Sequence, residues 1–148
     1  MPRAKKKCAR CSALPDRLYA DYFNKGEKLP GQVSALTPLI GENSIGTPTI
    51  RRCPKCGQLY GYYHDKDAIG GEQGWGCDEE LLWKISRAEA LQMLGRMLIE
   101  YQKRQQCAST DVGSGTRSKV WQRGMVAAYE KDIAKIERMI AEFEALKD

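Results

Sequence analysis

The chain has 148 residues, 42% of them hydrophobic and 29% charged, the composition of a folded globular protein and not of a disordered one. That length suffices for one ordinary domain, or for a metal-stapled unit joined to a helical one. The formal net charge of +5 is local: Arg3, Lys5, Lys6, Lys7 and Arg10 fall in the first 12 residues without an acid. A basic tail on a neutral body is therefore expected, not a basic surface that steers to polyanions throughout.

In chain order, residues 1–7 read as the solvated basic tail. No apolar core follows them, so they are not read as a secretory signal. No apolar run approaches the roughly 20 residues that span a bilayer, and the expected location is cytoplasmic. Cys8-Ala-Arg-Cys11 comes next. Leu18, Tyr19, Tyr22 and Phe23 then fall at spacings that permit a short helix or an irregular packed bend. Residues 26–49 are rich in Gly, Pro, Ser and Thr, with turns at Pro30-Gly31 and Thr47-Pro48 and room for short strands over Val33–Ile40. Cys53-Pro-Lys-Cys56-Gly57 leads into Gln58–His64, an aromatic segment read as a strand. Residues 65–76 read as a glycine-rich loop around Trp75, and Leu81–Ile85 as a second short strand.

Ser86-Arg87-Ala88-Glu89 is a capping box that predicts a helix start. Leu91, Leu94, Leu98 and Tyr101 form one apolar stripe over a helix from Arg87 to about Gln106. Gly113-Ser114-Gly115 interrupts it. Val126, Tyr129, Ile133, Ile136, Ile140 and Phe143 then make a second seam. A short polar loop between two amphipathic helices favours an antiparallel hairpin. Helices of roughly 20 and roughly 30 residues would measure about 30 and about 45 Å. The second is therefore expected to overhang and to pack on the first unit or on another chain, self-association included.

The two Cys-x-x-Cys pairs carry the chemistry. Each turn presents two thiolates, and two turns complete a tetrahedral four-sulfur site for structural zinc at Cys8, Cys11, Cys53 and Cys56. Six cysteines in a reducing compartment point to metal before disulfides. A redox dithiol is the competing reading of Cys-Pro-x-Cys, but it needs a helix start after a strand. Here Gly57 and an aromatic segment follow instead. The paired knuckles, with Cys-Pro-x-Cys-Gly ahead of an aromatic strand, resemble the zinc-ribbon class over about residues 8–64. That resemblance implies knuckles at the tips of β-hairpins holding one structural zinc. Residues 12–52 form a longer insertion than a compact ribbon carries.

The remaining candidates are weaker. His64, the chain's only histidine, lies beside Asp65 and Asp67 and reads first as a solvated residue at a strand end. Its alternative roles are metal ligand or general base. Cys77 and Cys107 read as small packed thiols, with Cys77 a further candidate for the zinc neighbourhood. Asp78-Glu79-Glu80 reads as a solvated turn. If both knuckles bind one ion, Lys5, Lys6, Lys7, Arg10, Arg51, Arg52 and Lys55 converge on one end, with Tyr60, Tyr62 and Tyr63 near enough to stack bases. These cations read first as balancing thiolate charge and keeping the tail soluble, and otherwise as a contact for nucleic acid or an acidic partner.

The expected architecture is α+β: a basic tail (1–7), a small zinc-ribbon-like β unit (8–85) and a long antiparallel helical hairpin (86–148), packed as one body. The expected function is a non-catalytic, protein-binding module of adaptor or immunity-like type. Nucleic-acid binding through the basic knuckle end is the alternative, and a Cys-dependent redox enzyme comes third.

Overall fold

In the computed structural model, residues 8–40, 47–67, 77–110 and 119–146 are described. Lys5, Lys6 and Lys7, the Gly70–Gly76 segment with Trp75, and the Gly113-Ser114-Gly115 break lie outside them. The chain divides into two units, residues 1–86 and 87–148. No helix among the described residues is long and apolar enough to cross a membrane.

The first unit is built on a five-stranded antiparallel sheet. Its strands are β1 (Arg17–Asp21), β2 (Thr37–Ile40), β3 (Thr49–Arg52), β4 (Leu59–Asp67) and β5 (Cys77–Ile85), in the order β1-β5-β4-β3-β2. The β4–β5 pair forms the spine, in register from Leu59↔Ile85 to Asp67↔Cys77. Both strands are longer than the sequence reading. The acidic run Asp78-Glu79-Glu80, expected as a turn, lies within β5, because each residue finds a ladder partner in β4 or β1.

The helix permitted over Leu18–Phe23 is divided instead. Leu18 and Tyr19 belong to β1, which pairs with β5, and α2 (Tyr22–Lys25) follows at once. Asp21 makes that switch by accepting a hydrogen bond from the Asn24 backbone N–H at 3.0 Å, an N-cap. Gly26, at φ 63°, ends the helix in the left-handed conformation that glycine tolerates. Val33–Ile40 likewise splits into a 3-10 turn, Gly31–Ala35, and β2.

Side chains alternate between the two faces of the sheet. Tyr60, Tyr62 and Leu82 share one face and pack with Leu14, Val33, Leu36, Cys11 and Cys53. The other face carries Ile50, Leu59 and Ile85, all buried, together with Gly61 and Trp83.

The second unit pairs α3 (Arg87–Thr110) with α4 (Lys119–Ala145). The α3 helix begins directly after Ser86, where the capping box places it. Arg87 donates to the Phe143 carbonyl at 2.9 Å, the Tyr101 and Tyr129 rings lie 6.2 Å apart, and Gln122 donates to the Ala108 carbonyl at 2.9 Å. These contacts fix an antiparallel hairpin in one register along its length. The helices have 24 and 27 residues, so about 36 and about 40 Å. The large expected overhang is therefore not found, because α3 continues to Thr110. The deepest positions are Ala90, Leu94 and Met97 on α3 and Ile136, Met139 and Phe143 on α4.

Candidate metal centre

Two elements of different kinds deliver the four cysteines. Cys53 and Cys56 occupy the turn between β3 and β4. There Cys53 N–H donates to the Gln58 carbonyl, and Gly57 N–H donates to the Cys53 carbonyl, each at 2.9 Å. Gly57 sits at φ 79°, a backbone state that costs a side-chain-bearing residue dearly. This is the hairpin-tip knuckle that the zinc-ribbon resemblance implies. The first pair departs from it: Cys8 precedes the short helix α1 (Ala9–Ala13), and Cys11 lies within it. No hairpin carries this pair, since its strand, β1, joins the sheet beside β5.

The four sulfurs all lie within 4.8 Å of one another. Across the two pairs, Cys11 and Cys56 Sγ are 3.4 Å apart, and Cys8 and Cys53 Sγ are 3.9 Å apart. A regular tetrahedron with metal–sulfur bonds of about 2.3 Å places its sulfurs about 3.8 Å apart. The cluster therefore has the dimensions of a single four-thiolate site. Cys11 and Cys53 are buried, Cys8 is half-buried and Cys56 is exposed.

The surroundings are arranged for thiolates. Backbone N–H groups of Cys11 and Arg10 favour the Cys8 thiolate and lower its pKa. Burial opposes ionisation of Cys53, yet the N–H groups of Cys56 and Lys55, together with the Cys11 and Cys56 side chains, outweigh it and bring the thiol down to about 6. Burial pushes Cys11 up to about 12 and raises Cys56 as well. Backbone donors thus favour the thiolate at Cys8 and Cys53, while burial first, and the neighbouring sulfurs after it, oppose it at Cys11 and Cys56.

Tyr60 supplies an independent test of fit. Its ring is fully buried in the same core as Cys11 and Cys53, and among the described residues its hydroxyl has no hydrogen-bond partner. Burial, followed by interaction with Cys11, pushes that phenol's pKa upward. A neutral thiol is a poor acceptor, whereas a metal-bound thiolate is a good one. An orphaned buried hydroxyl costs about 1–3 kcal/mol, and a thiolate at Cys11 removes that cost. The residues present thus fit a metal ion held by Cys8, Cys11, Cys53 and Cys56. Such an ion, bound by four thiolates, supplies cross-linking of the fold.

The remaining sequence candidates separate. Arg10 donates to the Ala35 carbonyl at 3.3 Å. Arg51 lies with its guanidinium carbon 3.7 Å from the centroid of the Tyr62 ring. Arg52 is half-buried and Lys55 exposed. Tyr60 and Tyr62 are buried, which removes two of the three rings expected to stack bases. His64 is not a free strand-end residue: its Nε2 lies 2.7 Å from Asp78 Oδ1, on the neighbouring strand. Asp65 and Asp67, its neighbours in sequence, are not that partner.

Cys77 pairs with Asp67, eight residues along β4 from Leu59. That is about 26 Å from the knuckle end of the strand, so it belongs to no zinc neighbourhood. Cys107 is exposed on α3 and not packed.

Sequence reasoning missed Tyr60 as a neighbour of Cys11 and Asp78 as the partner of His64. The first was available from alternation along Tyr60-Gly61-Tyr62, which places both tyrosines on one face. The second needed the β4–β5 register. No family model, curated protein or solved structure matches this chain.

Proposed function

We propose that the protein is a non-catalytic, cytoplasmic structural-zinc protein whose role is to bind another protein. The closed four-cysteine cluster carries this reading. All four tetrahedral positions have a protein sulfur within reach, whereas a catalytic zinc keeps one position for water or substrate. Support for a protein partner comes from Tyr19, Tyr22 and Phe23. Each is about half exposed (51%, 51% and 52%), and they lie within one five-residue stretch at the edge of the sheet. Half-exposed aromatic side chains grouped in this way are the residues that anchor protein interfaces.

The nucleic-acid reading retains Arg10, Arg52 and Lys55 beside the knuckles, with the three tail lysines in sequence. It loses the stacking platform, since Tyr60 and Tyr62 are buried.

The deciding experiment purifies the full chain from its native cells with its metal and records what stays bound. A retained protein that is lost on Tyr22→Ser with Phe23→Ser, at unchanged zinc content, supports the proposal. A bare monomer argues against it. Retained RNA whose affinity falls steeply with salt would favour the alternative, and Cys-dependent turnover would overturn the non-catalytic assignment.

A further inference from the structure

On the sheet face that carries Tyr60 and Tyr62, but farther along β4 and β5 from the cysteines, lies an open cleft of about 460 Å³. That volume is within the range of small-ligand sites. Arg51, Tyr62, His64, Asp78 and Glu80 line it from three adjacent strands, and the 27–34 segment forms its far wall.

The polar groups on the strands are fixed in pairs. Tyr62 Oη donates to Glu80 Oε2 at 2.5 Å, and His64 Nε2 meets Asp78 Oδ1 at 2.7 Å. Each carboxylate from β5 is therefore held by a group from β4. Arg51 differs. Its guanidinium lies against the buried Tyr62 ring at 3.7 Å, and among the described residues it meets no carboxylate or carbonyl. The hydrogen bond to Glu80 fixes the tyrosine ring, and the ring fixes the guanidinium. What remains is a pre-organised fork of N–H donors with no acceptor, the group best matched to a planar oxyanion.

The wall limits the ligand further. Leu29, Pro30 and Val33 make it partly apolar. Lys28 adds a second cation, whereas Glu27, Asp78 and Glu80 add three acids. A dianion such as phosphate would meet that negative charge at twice the cost of a monoanion.

We propose that this cleft is a binding site for a monocarboxylate carried on a small apolar or aromatic body, with the carboxylate seated on Arg51. The carboxylate has two chemical sources, a free organic acid or the carboxyl terminus of a peptide. Tyr22 lines this cleft as well as belonging to the exposed aromatic group, but the seat on Arg51 does not depend on a protein partner, and the Arg51 variants leave Tyr22 and Phe23 in place.

The test is a resonance titration of the full, zinc-loaded chain with sodium benzoate at constant ionic strength. Benzyl alcohol and inorganic phosphate are the controls. Benzoate should give saturable shifts at Lys28, Arg51 and Tyr62, with phosphate weaker and the alcohol silent. Arg51→Lys keeps the charge and loses the fork, and should weaken benzoate about ten-fold, the scale of one charge-assisted hydrogen bond. Arg51→Met should abolish binding at unchanged zinc content. If the methionine variant fails to hold zinc, the lysine variant alone decides.

Acetyl-phenylalanine compared with its amide separates the sources. Tighter binding of the acid than of benzoate, lost in the amide, assigns a peptide terminus. Weaker binding than benzoate assigns a free organic acid. The absence of saturable benzoate shifts, phosphate binding as tight as benzoate, or undiminished binding in Arg51→Lys overturns the proposal.

Discussion

Gly61 on β4 lies directly opposite Trp83 on β5, and the indole covers the space where a Gly61 side chain would stand. A Cβ built at residue 61 would overlap the ring carbons and come within 2.8 Å of the indole nitrogen. The tryptophan is thus packed flat across its partner strand because that strand offers no side chain there. Gly61→Ala should force Trp83 to another rotamer and cost about 1–3 kcal/mol, the usual cost of overpacking. Chemical denaturation followed by tryptophan fluorescence measures it. Unchanged stability with an unchanged emission maximum would show that the ring moves aside freely.

The same pair shows why some of the fold was legible and some was not. The tyrosine alternation in Gln58–His64 marks β4, and three- and four-residue apolar spacing marks both helices, because those signals repeat within one element. β1 has no such signal. Its five residues are set by pairing with β5, about 60 positions along the chain, and this tertiary pairing overrides a spacing that also suits a helix. The insertion at residues 12–52 was unpatterned for the same reason. It leaves one knuckle, adds β1 at one edge of the sheet and β2 at the other, and returns to the second knuckle. The cysteine cluster was readable because ligand chemistry fixes its spacing locally, whereas the helical setting of Cys8 and Cys11 was not. The Arg51–Tyr62–Glu80 row was invisible because it is built across three strands.

Removing a thiolate should act on folding first. Cys53 is 1% exposed and its knuckle is closed by backbone bonds, while Cys56 stands at the surface. Cys53→Ser should lose zinc and most of the sheet unit's cooperative unfolding. Cys56→Ser should lose affinity but keep more of the fold, because water can approach that corner of the site. Metal stoichiometry and thermal unfolding, with and without a chelator, measure both. Equal losses in the two variants would contradict the asymmetry. A chelator should lower the melting temperature of the wild type but scarcely affect that of Cys53→Ser.

Metal uptake should depend on pH in a way set by Cys53 and Cys11. Cys53, at about 6, lies below its ordinary value of 9.0. Its contribution to the stability of the metal-free fold is therefore full above pH 9, declines as pH falls, and is gone below about 6. At pH 7.5 it is already a thiolate and releases no proton to incoming zinc. Cys11, at about 12, is a thiol throughout and always releases one. Below about pH 6 Cys53 also carries a proton that zinc must displace. The logarithm of apparent zinc affinity should then fall more steeply, by about one further decade per pH unit. Chelator competition from pH 5 to 8 measures the slope, and a constant slope across pH 6 would refute the assignment.

Tyr60 gives the sharpest test of whether the four sulfurs hold a metal in the working protein. Among the described residues the buried hydroxyl has no hydrogen-bond partner, and a neutral Cys11 thiol is a poor acceptor, so in protein stripped of metal Tyr60→Phe should leave stability equal or higher. With a metal bound, Cys11 would be a thiolate able to accept from that hydroxyl, so the same substitution should remove a charge-assisted bond worth about 1.5–3 kcal/mol. The variant should therefore bind zinc about ten-fold or more weakly while its metal-free form loses no stability. Cobalt substitution offers a second readout, since loss of a donor to one sulfur should shift the thiolate-to-cobalt charge-transfer bands to lower energy. A variant that binds zinc as tightly as the wild type, with unshifted bands, would mean that the hydroxyl does not serve Cys11. Parallel losses in the loaded and metal-free forms would mean that Tyr60 acts through packing alone.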